Sequence, residues 1–182
     1  MKISIIIPCF NEEKTLSKIV DKVLKFKSYE KEIIIVDDCS KDNSKELLLN
    51  LKKKDERIKV TFLDNNIGSA KARNVAILQA KGKYIAFLDS DDFWESQKLE
   101  KQISFMMQND IAFSYTSYQS ISENGSDIIG LINAPDKMAI NSTELIVIKK
   151  TSLNRTFLSL NKTKTLVTTT ISKREKIPDL EE

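Results

Sequence analysis

Along residues 1–90, unbroken apolar runs alternate with segments in which apolar residues return every three or four positions. Residues 2–7 read Lys-Ile-Ser-Ile-Ile-Ile and are closed by Pro8. Apolar runs without alternation predict strands covered on both faces, as in parallel sheets. After the turn Cys9-Phe10-Asn11-Glu12-Glu13, residues Leu16, Ile19, Val20, Val23 and Leu24 recur at helical spacing, predicting an amphipathic helix over 13–25. Residues 32–36 predict a second buried strand that ends in Asp37-Asp38-Cys39-Ser40. Asp42 or Asn43 then serves as a helix cap, with Leu47, Leu48 and Leu51 on one face and a Lys-rich polar end. Residues 59–63 predict a third strand, and Asn65-Asn66-Ile67-Gly68 a turn. An Ala-rich helix over 69–80 follows, stopped by Gly82 in the C′ position. The fourth strand, 83–88, runs into Asp89-Ser90-Asp91-Asp92.

This order, strand and helix in strict alternation with short connections, predicts right-handed crossovers and a parallel sheet with helices on both faces. Parallelism alone then brings two acid-bearing strand ends, Asp37-Asp38 and Asp89 to Asp92, to one edge of the sheet. In open α/β sheets that edge is where ligands bind.

The pattern loosens afterwards. Leu99, Ile103, Met106 and Met107 predict a helix over 96–107, and 111–115 and 118–121 read as strands. The turn Glu123-Asn124-Gly125-Ser126 predicts a hairpin to 128–132. Ser142-Thr143-Glu144 can cap a short helix through residue 149, 153–160 is ambiguous, and 166–172 is β-rich. Repeats, low-complexity tracts and Gly/Pro linkers are absent from the sequence, so residues 1–182 are expected to form a single domain.

Composition narrows the chemistry. The chain contains no histidine, which removes imidazole catalysis and His-ligated zinc. Its net charge of +3 is too small to argue for a nucleic-acid partner. No apolar run approaches a membrane span, and the N-terminus reaches Pro8 too early for a secretory leader, so a cytoplasmic location is expected. Cys9 and Cys39, near the ends of the first two strands, fit no metal or disulfide pattern and are expected to be reduced, with a buried, inert thiol as the default.

Each polar group at the sheet edge carries two readings. Asp89-Ser90-Asp91 is an acid-x-acid pair whose repulsion a divalent cation with a taste for oxygen would relieve. Otherwise Asp91 or Asp92 caps the helix beyond Trp94. Asp37 and Asp38 accept hydrogen bonds from a nucleobase or ribose, or simply cap a turn. Asn11, Glu12 and Glu13 form a third polar element, or are acids drawn to a helix N-terminus. Arg73 pairs with a phosphate, pairs with an edge carboxylate, or lies solvated on the surface; its small neighbours Ala70, Ala72 and Ala76 favour close packing. Trp94 anchors its loop by packing or stacks on a sugar or base. Two acid pairs on one edge strengthen the functional readings, because the second is an independent coincidence otherwise.

Four ordered stretches resemble the signatures of family 2 glycosyltransferases. They are residues 5–13, residues 32–44, Asn66-Ile67-Gly68 with Ala72-Arg73-Asn74, and residues 82–94. The likeness is strong over residues 1 to 110 and weaker beyond. It implies a Rossmann-like GT-A fold, α/β, with 1–110 as the nucleotide-sugar-binding half and 111–182 as an incomplete acceptor-side part. It further implies transfer of a sugar from a nucleotide-sugar donor, commonly a UDP-sugar, to a glycan or lipid-linked acceptor, with inversion and with Mn²⁺ or Mg²⁺. By this resemblance Pro8, Phe10, Asn11, Glu12, Asp37, Asp38, Arg73, Asp89, Ser90 and Asp91 line the donor site. Pro8, Phe10 and Asp38 would line the nucleoside pocket, with Asp37 close by. Arg73 would sit near the diphosphate, and Asp89 and Asp91 at the metal, with Asp91 the more direct ligand. A peripheral association with the inner face of the cell membrane is also compatible with the family. Phosphatases of the haloacid-dehalogenase type and receiver domains also place acids at strand ends. Phe93-Trp94 and the complete βα unit ahead of Asp37-Asp38 argue against them.

Two features depart from the family. Cys39 stands where Gly or Asn is common, with little effect expected. The catalytic base belongs to a later acidic motif, which would begin about where this chain reaches Glu181 and Glu182, weak candidates at a terminus. The alternative expectation is therefore a nucleotide-sugar-binding fragment without the catalytic base.

Overall fold

In a computed structural model, residues 1–92, 94–116, 118–121, 128–132 and 171–173 are described. The β-strands are β1 (Lys2–Cys9), β2 (Glu30–Asp37), β3 (Ile58–Phe62), β4 (Tyr84–Phe87), β5 (Phe113–Ser114), β6 (Tyr118–Ile121), β7 (Ile128–Ile132) and β8 (Ile171–Lys173). The α-helices are α1 (Leu16–Lys25), α2 (Ser44–Lys54), α3 (Ser69–Gln79) and α4 (Lys98–Gln108). The main sheet runs β3-β2-β1-β4-β8-β5, and β6 and β7 form a separate antiparallel pair, the predicted hairpin. β1, β2, β3 and β4 are mutually parallel, as expected.

The strands alternate which face they feed. Ile3, Ile5, Ile7, Ile33 and Ile35 pack with Leu16, Ile19 and Val20 of α1, Leu48 and Leu51 of α2, and Leu99, Ile103 and Met106 of α4. Ile6, Ile34, Val36, Ile85 and Phe87 pack under Ala72 and Ala76 of α3. Both faces are covered, which is why the strands read as continuous apolar runs. Chain order reverses across the β1/β4 boundary, since β1 to β3 step one way and β4 lies on the other side. Such a switch point opens a crevice at the carboxyl ends of the strands.

Several expectations shift. β1 does not end at Pro8 but runs to Cys9. Ile6 turns its carbonyl to the β4 side, where it accepts from Leu88 N, and the β4 ladder stops at the Ile6–Phe87 pair. Pro8, two residues on, turns its missing N–H to that same side at little cost. Helix α1 begins at Leu16 rather than residue 13, because Glu12 to Thr15 form a separate turn with Leu16 N donating to the Glu12 carbonyl. Helix α3 ends at Gln79 with Ala80 as its C-cap, so Gly82 is not the C′ residue. A Cβ at Gly82 would lie 2.4 Å from Ser4 N and 2.7 Å from the Ile3 carbonyl carbon, so close approach to β1 demands the glycine. The β-rich stretch 166–172 contributes β8, inserted antiparallel between β4 and β5. The helix expected over 142–149 and the ambiguous stretch 153–160 lie outside the described residues.

Candidate donor-binding site at the carboxyl edge

The loops after β1 and β2 are locked together. Asn11 adopts φ 58°, a left-handed conformation that Asn tolerates. That turn aims its N–H at Ser40 Oγ (2.9 Å) and lets its Oδ1 accept from Lys41 N (2.7 Å). Glu12 N donates to Ser44 Oγ (2.8 Å), and Glu13 N donates to Asp42 Oδ2 (3.1 Å). In return Asn43 N donates to Glu13 Oε2 (3.0 Å), and Ser44 N donates to Asp42 Oδ1 (3.0 Å). Burial acts to raise the Asp42 carboxyl, but these bonds from Ser44 and Glu13 hold it below the usual range. Asn43 occupies the N-cap position of α2 without a side-chain cap bond, and Glu13 of the neighbouring loop satisfies the Asn43 N–H. The sequence showed polar clusters here; their interlocking depends on two loops that become neighbours only through strand pairing.

Asp37 and Asp38 are both buried at the end of β2. Asp37 accepts from the Ser40 hydroxyl and from Ser40 N (3.3 Å). Asp38 reaches across to the β3–α3 turn, accepting from Ile67 N (2.7 Å) and Gly68 N (2.8 Å), while its carbonyl accepts from Asn66 Nδ2 (3.1 Å). Gly68 takes φ 87°, which suits a glycine just ahead of α3. The Asp38 carboxylate thus supports the backbone of the turn, a role the pattern alone did not reveal. Phe10, just past the end of β1, is an aromatic left 45% exposed, while Pro8 within the strand is buried.

The acid-x-acid pair leaves β4 in a turn closed by Asp92 N donating to the Asp89 carbonyl (3.1 Å). Ser90 and Asp92 point inward and are buried, whereas Asp91 is exposed and Asp89 half-buried. The helix-cap reading of Asp91 and Asp92 does not hold, since α4 begins at Lys98 with Gln97 as its N-cap. Arg73 is not solvated. It is 6% exposed, and its Nη2 forms an ion pair with Asp89 Oδ1. Partial enclosure by protein pushes the Asp91 carboxyl up, and Asp89 adds to the rise while Arg73 opposes it. Glu12 is pushed up by burial, lowered by its bond from Thr15 Oγ1 (2.6 Å), and raised again by Asp91, Asp42 and Asp89. Glu12, Asp89 and Asp91 therefore share one electrostatic neighbourhood beside the switch point.

Among the described residues, no three His, Cys, Asp or Glu side chains converge to hold a metal ion by themselves. An exposed Asp91 beside Asp89 nevertheless suits a hard cation that draws its remaining oxygens from a substrate, as Mg²⁺ commonly does. Cys9 is buried, and burial, with Asp37 as the next contribution, pushes its thiol up to about 12, so it is inert as expected. Cys39 takes φ 64°, and its thiol donates to the Asp64 carbonyl (3.3 Å). Trp94 is buried, with Phe26 at 6.3 Å between ring centroids and the Lys98 ammonium 4.8 Å from its centroid, which meets the packing expectation. Glu181 and Glu182 lie outside the described residues. No described helix is long and apolar enough to cross a membrane.

The comparisons agree with this architecture. The family model described as Glycosyl transferase family 2 matches residues 4–169. A Bacillus subtilis (strain 168) glycosyltransferase provisionally assigned to teichuronic acid biosynthesis, TuaG, is 43% identical over 136 residues, 75% of this chain and 54% of its own length. The UDP-Glc:alpha-D-GlcNAc-diphosphoundecaprenol beta-1,3-glucosyltransferase WfgD of Escherichia coli is 42% identical over 139 residues, 76% of this chain and 53% of its own. The crystal structure of S. aureus TarS 1-349 in complex with UDP-GlcNAc superimposes with a TM-score of 0.64 at 25% identity, covering 96% of this chain and 46% of that one. The chain spans about half the length of the curated relatives it matches. With a parallel sheet flanked by helices in the GT-A manner and a family match over most of its length, the chain belongs to glycosyltransferase family 2.

Proposed function

We propose that the carboxyl edge of β1, β2 and β4 is the donor site of an inverting, metal-dependent glycosyltransferase that takes a UDP-sugar. The observation that carries the reading is the Arg73–Asp89 ion pair beside Asp91, with Glu12 in the same electrostatic neighbourhood at the β1/β4 switch point. Phe10 offers a flat face for the nucleobase, Pro8 backs it, and Asp37 and Asp38 fix the loops that frame it. Asp91, with Asp89, would hold Mn²⁺ or Mg²⁺ shared with the diphosphate. The ion, when bound, neutralises charge developing on the leaving group. The chain's own contribution is to hold the diphosphate rigidly for in-line displacement at the anomeric carbon, where orientation supplies much of the acceleration. A carboxylate takes the acceptor hydroxyl's proton in this scheme. The acceptor is a glycan or a lipid-linked glycan, in keeping with a relative named for a diphosphoundecaprenol acceptor.

The second reading, a nucleotide-sugar-binding module without the catalytic base, fits less well with relatives named as glycosyltransferases. Calorimetry with UDP, with and without Mn²⁺, beside a turnover assay separates the two. Binding with turnover supports the transferase, binding alone supports the module, and no binding sinks both. Asp91→Asn is expected to weaken Mn²⁺-dependent UDP binding at least ~10-fold, about 1.4 kcal/mol. Unchanged affinity would remove Asp91 from the site.

A further inference from the structure

The acid edge already contains a cation. Arg73 projects from α3, is buried, and holds Asp89, one of the two acids of the acid-x-acid pair. It brings a planar guanidinium cation to the acids. A divalent ion approaching Asp91 would therefore meet a fixed positive charge and a neighbouring carboxylate already engaged. Among the described residues no third ligand converges to offset that repulsion. Glu12 is near enough to raise the negative potential, but its carboxylate accepts from Thr15 Oγ1. A nucleoside diphosphate changes the balance. Its oxygens complete the ion's coordination shell, and its negative charge screens the ion from the guanidinium or takes that bidentate fork itself.

We propose that Arg73 is a positioning residue that serves as the resident counter-ion of Asp89 and makes divalent-cation binding conditional on the nucleotide diphosphate. The inference rests on the donor-site reading above. It assigns Arg73 a role before the donor arrives, in addition to any contact made afterwards. The burial of Arg73 supports it, because a buried guanidinium cannot swing into solvent to vacate the pair.

The test follows Mn²⁺ by electron paramagnetic resonance on the full chain, with UDP present and absent. For the wild-type chain, Mn²⁺ is expected to stay free without UDP and to bind with it. Arg73→Met should bind Mn²⁺ without UDP at least ~10-fold more tightly than the wild-type chain, since three carboxylates then lack their internal cation. Arg73→Lys, which keeps the charge, should retain the requirement for UDP. Adding Asp89→Asn to Arg73→Met should abolish the gain. Three results overturn the proposal: wild-type binding of Mn²⁺ that UDP does not change, no gain in Arg73→Met, or an equal gain in Arg73→Lys. If Arg73→Met fails to fold, which its circular dichroism would show, Arg73→Gln makes the same test: it removes the charge but keeps a polar side chain, and no gain there overturns the proposal. If the wild-type chain binds UDP with Mn²⁺ while Arg73→Met gains nothing, only the role of Arg73 falls. If it binds no UDP under any condition, the donor-site reading falls and takes this inference with it.

Discussion

The two ends of one sheet treat carboxylates in opposite ways. At the amino edge, Glu32 opens the apolar run of β2, and its side chain is 2% exposed. Its Oε1 accepts from Ser4 Oγ (2.6 Å) and Lys81 N (2.6 Å), and its Oε2 from Lys59 Nζ (2.7 Å), with Lys2 Nζ at 3.4 Å. Burial acts to raise this carboxyl, yet the bonds from Lys59, Ser4 and Lys81 hold it down at about 2. At the carboxyl edge, Glu12 and Asp91 are pushed above the ordinary carboxylate range, with partial enclosure by protein as the leading cause for each. The difference lies in compensation. Glu32 is surrounded by donors from three separate stretches of chain, so its charge is a structural tie. At the other edge Glu12, Asp89 and Asp91 raise one another's negative potential, and Arg73 pairs with Asp89.

The sharpest way to break this comparison is to remove the compensated carboxylate. Glu32→Gln leaves the Lys59 ammonium without its counter-charge and offers a poorer acceptor to Ser4 and Lys81. It is expected to cost roughly 3 kcal/mol, read from urea unfolding. Because the folded-state value of Glu32 lies below its unfolded value, its contribution is fully present at neutral pH. It is lost as pH falls from about 4.5 toward about 2. The variant should therefore show a flatter stability profile across that window. Its Mn²⁺-dependent UDP binding at pH 7, measured under folding conditions, should match wild type. A loss of binding there would mean the two edges are not independent.

Gly82→Ala strikes the same edge through sterics. Gly82 N donates to Ser4 Oγ (2.8 Å), and the added methyl would meet the backbone of Ile3 and Ser4, which cannot rotate away. A loss of about 2 kcal/mol or more is expected in the same unfolding assay. A neutral result would show that the approach of the α3–β4 loop to β1 is loose, and with it the tie through Ser4 to Glu32.

The carboxyl edge also has acids of the compensated kind, and Asp38 sharpens the contrast. Asp38 uses both oxygens on the N–H groups of Ile67 and Gly68. Asp38→Asn turns one acceptor into a donor facing a donor, for a loss of about 1–2 kcal/mol. Its UDP affinity should fall too, since the turn frames the proposed nucleoside pocket. The ratio of the two effects distinguishes a scaffold carboxylate from Asp91, whose loss should leave stability nearly unchanged.

What the sequence made legible follows from local physics. Apolar runs and helical spacing depend on near neighbours, so β1 to β4 and α1 to α4 were readable to within a few residues, and parallelism brought Asp37-Asp38 and Asp89 to Asp92 to one edge without further information. Contacts between distant residues were not readable. Glu32 looked like the first residue of a strand because its partners, Ser4, Lys59 and Lys81, come from three other stretches of the chain. Gly82 looked like a helix stop because the Ile3–Ser4 backbone that excludes a side chain is some 78 residues away in sequence. β8 pairs Ile171 with Ala86, a partnership that no local pattern announces. Arg73 lay between, since its small neighbours hinted at burial but only the fold supplies Asp89 as its partner.

The smallest effect expected concerns Cys39, the residue that departs from the family pattern. Little consequence was expected of that departure, yet Cys39 stands at φ 64°, where a Cβ meets the following backbone and a glycine would be unstrained. Its side chain offers modest compensation, a weak thiol bond to the Asp64 carbonyl and a contact at 3.2 Å from Lys41 Nζ. Cys39→Gly should relieve about 1 kcal/mol of strain, while the added freedom of the unfolded glycine returns a large part of it. A net gain of about 0.5 kcal/mol in urea unfolding is expected. Because the loop is already locked by Asn11, Ser40 and Asp42, UDP affinity should not change. A net loss instead would mean that the thiol and Lys41 tie the β2–α2 loop more firmly than their geometry suggests. The carboxyl edge would then hold one more compensated contact beside those of Asp37, Asp38 and Asp42.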